Sequence, residues 1–135
     1  MTYHQLMLEN QTLFTKKIYE QLHDLSSGQP KVLEYLLDHE GCMQKEIAHS
    51  CLIEPASVTS LLNKMEKDHL VTRQIQDGNR RNLHVFLTKK GKEKAIRVKE
   101  VFIKMEDKTL EVLSPEELDQ LLTLLGKVNK NLWNM

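Results

Sequence analysis

The chain has 135 residues, enough for one domain with a hydrophobic core and few for a multi-domain enzyme. Its 19 Lys and Arg residues balance 19 Asp and Glu residues, and its two cysteines lack the spacing of a disulfide framework. It has neither a membrane-spanning apolar run nor a secretory leader, so we expect a cytoplasmic protein with free thiols and no membrane partner.

Three helices are predicted in the first third of the chain. Apolar residues recur at helical spacing from about Tyr3 to Leu25. Ser26 or Ser27 is predicted to cap a second helix that ends at Gly41. A third, short helix is predicted from Gln44 to about Ser50.

A fourth helix and a hairpin follow. Pro55 suits the first turn of a helix that runs to about Asp68, with an apolar stripe from Val58 to Met65. Strands are predicted at Leu70 to Ile75 and at Leu83 to Leu87, and turn-forming residues lie between them. The pair is predicted to form a hairpin with a charged tip.

Two long helices complete the chain. Thr88 is predicted to cap a fifth helix that reaches about Leu113 and is apolar on two sides, so it needs packing partners on both. Ser114, Pro115 and Glu117 combine an N-cap, a first-turn proline and a capping-box carboxylate, and therefore begin a sixth helix. The stripe that this helix is predicted to bury consists of Leu118, Leu121, Leu122, Leu125, Val128 and Leu132.

The charge is sorted along the chain although its sum is zero. Residues 56–99 hold eleven Lys and Arg against four Asp and Glu, whereas both flanking regions are acidic. A positive surface favours binding to phosphate groups, and this basic region contains the fourth helix and the hairpin.

The outward side of the fourth helix is the first candidate site. It carries short hydroxyl side chains, one amide and two cations, a set that suits the major groove of DNA, although a solvated helix face is the simpler alternative. Asn63 can bind adenine in bidentate fashion, and Gln44 can donate its amide to a phosphate. The residues on this side are Ala56, Ser57, Thr59, Ser60, Asn63, Lys64 and Lys67.

The hairpin tip is the second candidate site. It carries Arg80 and Arg81, and Arg73 precedes them on the first strand. An arginine on a protruding loop can enter the negative potential of a narrow minor groove. Asp77 can pair with one arginine and hold the tip in shape. The alternative is an ordinary charged turn.

The order of these motifs resembles the MarR family of bacterial transcriptional regulators over nearly the whole chain. The motifs are Gln44-Lys-Glu-Ile-Ala48, Pro55-Ala-Ser-Val-Thr-Ser-Leu-Leu-Asn-Lys-Met-Glu66, Leu70-Val71, Asp77-Gly-Asn-Arg-Arg81 and Leu87-Thr-Lys-Lys-Gly91. The resemblance implies a mainly α fold with a small β-hairpin wing, a winged helix-turn-helix flanked by dimerisation helices. It implies one domain, 1–135, in which residues 27–88 bind DNA and residues 1–26 and 89–135 form a homodimer.

The resemblance also implies a function and assigns the site. It places the helix that begins at Pro55 in the major groove and Arg80 and Arg81 in the wing, which departs from the family at Asn79, where an acidic residue often stands. We expect a ligand-responsive repressor that binds a palindromic operator in double-stranded DNA, with an effector pocket between the dimerisation helices and the DNA-binding part. The predicted DNA-binding residues are Gln44, Ala56, Ser57, Thr59, Ser60, Asn63, Lys64, Lys67, Arg73, Asp77, Asn79, Arg80 and Arg81.

The sequence also bears on four other functions, namely redox sensing, protein binding, metal binding and catalysis. Cys42 and Cys51 allow a redox-sensing regulator, and the basic surface allows a helical module that binds an acidic protein. The cluster of His39, Cys42, His49 and Cys51 matches no zinc motif, so neither a metal nor another cofactor is expected. The glycines are isolated and no nucleophile stands in a catalytic motif, so an enzyme is not expected either.

Overall fold

The computed structural model describes residues 1–76, 78 and 82–135. Every predicted helix and strand is present in the predicted order. The elements are α1 (Tyr3–Gln21), α2 (Gln29–Asp38), α3 (Gln44–Ser50), α4 (Pro55–Lys67), β1 (Val71–Ile75), β2 (Leu83–Leu87), α5 (Lys89–Leu110) and α6 (Pro115–Trp133). The chain divides into two compact units, residues 1–102 and residues 103–135.

Some helix ends differ from the prediction. α1 ends at Gln21, and Leu22 and Leu25 are buried in the segment that follows it. The predicted serine cap of α2 is wrong, because Gly28 is the N-cap residue in a left-handed conformation (φ 88°) and makes no side-chain cap. At α6 the predicted capping box is confirmed, since the Ser114 hydroxyl accepts from Glu117 N and the Glu117 carboxylate accepts from Ser114 N.

The core of the first unit is formed by α2, α3, α4, the hairpin and the first part of α5. Its apolar side chains come from the stripes that helical and strand periodicity predict, so each element turns one side inward. Fully buried residues include Val32, Leu33, Leu36, Ile47, Val58, Leu62, Met65, Val85 and Val98.

The hairpin is tied to the segment between α2 and α3. β1 and β2 pair antiparallel, from Val71 opposite Leu87 to Ile75 opposite Leu83. Met43 forms an isolated bridge with His84, and Val85 exchanges backbone hydrogen bonds with Gly41 and Cys42. The segment before α3 therefore pairs with β2 on the side away from β1, which the sequence pattern did not indicate. This pairing fixes the base of the hairpin against α3.

The start of α5 is fixed to the turn between α4 and β1. Thr88 N donates to Leu70 O (3.0 Å), and the Thr88 hydroxyl donates to His69 O and accepts from Gly91 N. A Cβ at Gly91 would lie only 1.8 Å from Leu70 O. The glycine is therefore what allows the first turn of α5 to approach this backbone so closely.

The second unit consists of the end of α5 and of α6. The predicted burial of the α6 stripe does not occur within the single chain, because no residue of α6 is buried. Its exposed apolar side chains include Leu122, Leu124, Leu125, Val128, Leu132 and Trp133. In the first unit, α1 likewise exposes Tyr3, Leu6, Leu8 and Leu13. Among the described residues, no helix combines the length and the apolar character that crossing a bilayer requires.

Candidate nucleic-acid interface

Two helices joined by a tight turn present the candidate interface. α3 and α4 bury Ile47 and Val58 on their inner sides, which fixes the outer side of α4 toward solvent. Between them Lys31 Nζ donates to Cys51 O (2.9 Å), so α2 supports the turn. The outer residues are all exposed, as predicted: Ala56, Ser57, Thr59, Ser60, Asn63, Lys64 and Lys67. Between Pro55 and Met65 there is no carboxylate.

One flank of α4 is held by a polar network that we call the Arg73 network, formed by Gln44, Thr59, Asn63, Glu66 and Arg73. Arg73 Nη2 donates to Asn63 Oδ1 (2.5 Å) and to Glu66 Oε1 (3.2 Å), and Nη1 donates to Gln44 Oε1 (3.4 Å). Gln44 Nε2 in turn donates to the Thr59 hydroxyl (2.9 Å). The network joins α3, α4 and β1 into one unit.

Arg73 and Gln44, both predicted to contact DNA, bind other side chains of the protein through this network. The Arg73 side chain is only 13% exposed and forms an ion pair with Glu66. Gln44 uses its carbonyl oxygen and one amide N–H inside the protein. Both residues therefore have structural partners in this conformation, which sequence spacing did not indicate.

The two lysines of α4 differ in their surroundings. Lys64 lies 3.7 Å from the carboxylate of Asp68, one turn further along, and both side chains are about half exposed. Such an exposed pair is worth at most about 1 kcal/mol, so it does not prevent Lys64 from meeting a phosphate. Lys67 is exposed at the last position of the helix.

The hairpin tip holds four of the predicted residues, Asp77, Asn79, Arg80 and Arg81, and these lie outside the described residues. The strands that carry the tip are described and have the predicted pairing. Gly78 adopts a left-handed conformation (φ 75°), which suits a tight turn.

The other flank of α4 borders a cleft of about 890 Å³, which we call the α1–α4 cleft. Ala56, Ser57 and Ser60 form part of its wall, so three residues expected at DNA also line a cavity. The opposite wall is supplied by Gln11, Thr15 and Tyr19 of α1, by Gly28 and by Lys31. The sequence did not identify these residues, because ordinary polar residues of a helix carry no signal of a cavity.

A smaller, more apolar cavity of about 220 Å³ adjoins the cleft. Phe14 and Phe102 line it, with ring centroids 6.5 Å apart, together with Ile18 and Pro30. It shares Gln11, Thr15, Tyr19 and Lys31 with the α1–α4 cleft. The α1–α4 cleft alone lies within the range of about 300–1,000 Å³ typical of ligand sites, and the smaller cavity adds an aromatic end to its more polar lining.

The two cysteines lie in environments that suppress reactivity. Burial raises the pKa of the Cys42 thiol to about 11, and Glu46 adds to the effect. Burial also raises the pKa of Cys51, whose Sγ lies 3.8 Å from Lys31 O. Since the thiolate is the reactive form, these environments do not favour the redox-sensing alternative. No group of three or more potential metal ligands occurs in the described part of the chain.

Comparisons with known proteins identify relatives of the chain. The model of the MarR family matches residues 25–83. The HTH-type transcriptional regulator BilQ of Clostridium symbiosum is 28% identical over 128 residues, which span 95% of this chain and 88% of BilQ.

Solved structures of Staphylococcus aureus MepR are also similar, at 26% identity. MepR in its complex with DNA has a TM-score of 0.91, covering 97% of this chain and 98% of that one. MepR bound to ethidium bromide has a TM-score of 0.58, covering 98% and 97%. The predicted fold, mainly helical with a two-stranded wing in a winged helix-turn-helix, is confirmed by this likeness.

Proposed function

Because the chain belongs to the MarR family of DNA-binding transcriptional regulators, we propose that it is a ligand-responsive repressor that binds a palindromic operator as a homodimer. The whole chain acts as one functional domain, with residues 27–88 at the DNA and residues 1–26 and 89–135 in the dimer. The observation that carries the proposal is the outer side of α4, which is exposed and polar and has no carboxylate from Pro55 to Met65.

The DNA contacts are proposed for two elements, α4 and the wing tip. The hydroxyls of α4 and the amide of Asn63 meet base edges, and Lys64 and Lys67 meet phosphates. The wing tip enters the minor groove through Arg80 and Arg81, which follow Asp77 and Asn79 in the sequence. The eleven basic residues of the segment 56–99 provide the positive field that phosphate binding requires.

The homodimer is supported by apolar side chains that the single chain leaves exposed. Six of the apolar residues of α6 are in this state, and so are Leu6, Leu8 and Leu13 of α1. Exposed large apolar surface marks an interaction site, and a two-fold dimer matches a palindromic operator. Sedimentation of the purified chain tests this point, since a monomer at micromolar concentration would contradict it.

The α1–α4 cleft and its apolar neighbour are proposed as the effector site. A molecule seated there contacts Ser57 and Ser60, which are also proposed to meet the operator. Effector and DNA therefore compete for one side of α4, and the effector releases the operator. The likeness to a regulator that has been crystallised with ethidium bromide supports an aromatic, cationic class of effector.

Fluorescence anisotropy with the DNA upstream of its own gene tests the proposal. We expect tight binding to this duplex and at least a hundredfold weaker binding to a scrambled duplex at physiological salt. Lys67→Ala is expected to reduce the salt slope of log Kd by about one unit if the lysine meets a phosphate. Lys130→Ala on α6 is the matched control and should leave the slope unchanged.

Two outcomes would overturn the proposal. If the affinities for the two duplexes are equal, the protein is not a sequence-specific regulator. The remaining hypothesis is then a module that binds an acidic protein. The second outcome concerns the effector. If calorimetry shows that aromatic cations bind the protein, but saturating amounts of them leave its affinity for the operator unchanged, effector and DNA do not compete.

A further inference from the structure

The side-chain oxygen of Asn63 accepts a hydrogen bond from another residue of the protein. Arg73 Nη2 lies 2.5 Å from Asn63 Oδ1 and 3.2 Å from Glu66 Oε1. The side chain of Arg73 is largely buried. A guanidinium group has only donors, so the amide atom that faces it must be the oxygen. This fixes the orientation of the Asn63 amide.

The consequence concerns what Asn63 can offer to a base. Bidentate recognition of adenine needs an acceptor for N6–H and a donor for N7. Although an amide oxygen has a second lone pair, the bond to the largely buried Arg73 turns Oδ1 toward the protein, and the amide nitrogen, from which no described residue accepts, remains for a base. The two N–H donors of this nitrogen match the edge of guanine, which presents O6 and N7 as neighbouring acceptors.

We propose that Asn63 recognises guanine rather than adenine in the major groove, and that Arg73 sets this preference as a positioning residue without touching the DNA. The proposal rests on the proposed function, in which α4 enters the major groove. It also assigns a role to Glu66, whose negative charge near the DNA is balanced by Arg73.

The geometry makes the arrangement stable. The bonds of Arg73 to Asn63 and Glu66 bridge β1 and α4, and its bond to Gln44 reaches α3. Hydrogen bonds that involve a charged partner are about twice as strong as neutral ones. Releasing Oδ1 to bind adenine would therefore leave a buried cation with one partner fewer.

The test is in vitro selection from a randomised duplex library, with the full-length protein and three variants. Asn63→Ala identifies the base pair that Asn63 contacts, as the position whose preference it removes. In the wild type this pair is expected to be G·C, and its replacement by A·T should weaken binding roughly tenfold. Asn129→Ala, an exposed asparagine of α6, is the matched control and should leave every position unchanged.

Asn63→Asp removes the N–H donor and keeps the bond to Arg73. Its carboxylate still accepts from Arg73 but has no N–H to offer, so the guanine preference should fall to less than twofold. Arg73→Met frees the amide oxygen and should shift the same pair from G·C toward A·T. A purely structural role of Arg73 would instead weaken all sequences equally.

The outcomes separate the guanine assignment from the proposed function. If the wild type enriches a consensus but the pair altered by Asn63→Ala is A·T, or no pair is altered, the guanine assignment is wrong while the regulator stands. If the wild type enriches no sequence, both fail. If Arg73→Met does not fold, the Asn63→Asp result alone decides the donor assignment.

Discussion

Replacing Gly91 by Ala should destabilise the protein, although helix propensity alone predicts the opposite. A Cβ at this position would lie 1.8 Å from Leu70 O and 2.8 Å from its carbonyl carbon. Carbon–oxygen contacts in proteins are about 3.3 Å or longer, so α5 and the Leu70 backbone must move apart by roughly 1.5 Å.

The size of the effect follows from three contributions. Forcing a methyl group into a packed site costs about 1–3 kcal/mol. Weakening the bond from Thr88 N to Leu70 O costs about 1 kcal/mol more. The higher helix propensity of alanine returns about 1 kcal/mol. We therefore expect the free energy of unfolding to fall by about 1–3 kcal/mol.

Urea unfolding followed by far-ultraviolet circular dichroism measures this loss. All samples are kept at one chain concentration, because the stability of the proposed homodimer would depend on it. Gly126→Ala in α6 is the matched control, since no heavy atom lies within 4 Å of the added Cβ among the described residues. It should gain about 0.5–1 kcal/mol from propensity. The close approach of α5 to Leu70 would be refuted if Gly91→Ala were also as stable as the wild type or more stable.

Two further predictions concern buried polar groups. Because burial raises the pKa of Cys42 to about 11, its alkylation rate in the native protein should still be rising above pH 9.0, the ordinary value for the thiol, and a plateau there would contradict the burial. Peroxide should accordingly leave DNA binding unchanged. The amide nitrogen of Gln29 is buried without a hydrogen-bond partner among the described residues, so Gln29→Met should raise the free energy of unfolding by about 1 kcal/mol in urea titrations. A loss of similar size would show that the amide has a partner.

Local signals were sufficient for most of the fold. The apolar stripe of α4 and the capping box at Ser114 depend on residues within a few positions of each other, and both were predicted correctly. The N-cap of α2 was predicted one or two residues too early, at Ser26 or Ser27 instead of Gly28, because serine and glycine both occur at N-caps. The bridge from Met43 to His84 joins residues far apart in the chain, which periodicity does not reveal.

The candidate site was predicted as a face but not as a set of interactions. The exposure of Ser57, Ser60 and Asn63 follows from the helical period once the buried stripe is known. The partners of Arg73 depend on how β1 lies against α3 and α4, which is tertiary information. The walls of the α1–α4 cleft come from three separate stretches of the chain, 11–19, 27–31 and 52–61, so they too depend on tertiary structure.

In the proposed function, the sharing of Ser57 and Ser60 between the α1–α4 cleft and the outer side of α4 has a consequence for gene expression. When two ligands exclude each other, each lowers the affinity of the other by the same factor. The effector concentration needed to open a promoter would then rise with the affinity of its operator. A single rising dose would induce weak operators first and the strongest last, so the order of induction across the genome would be encoded in the DNA alone.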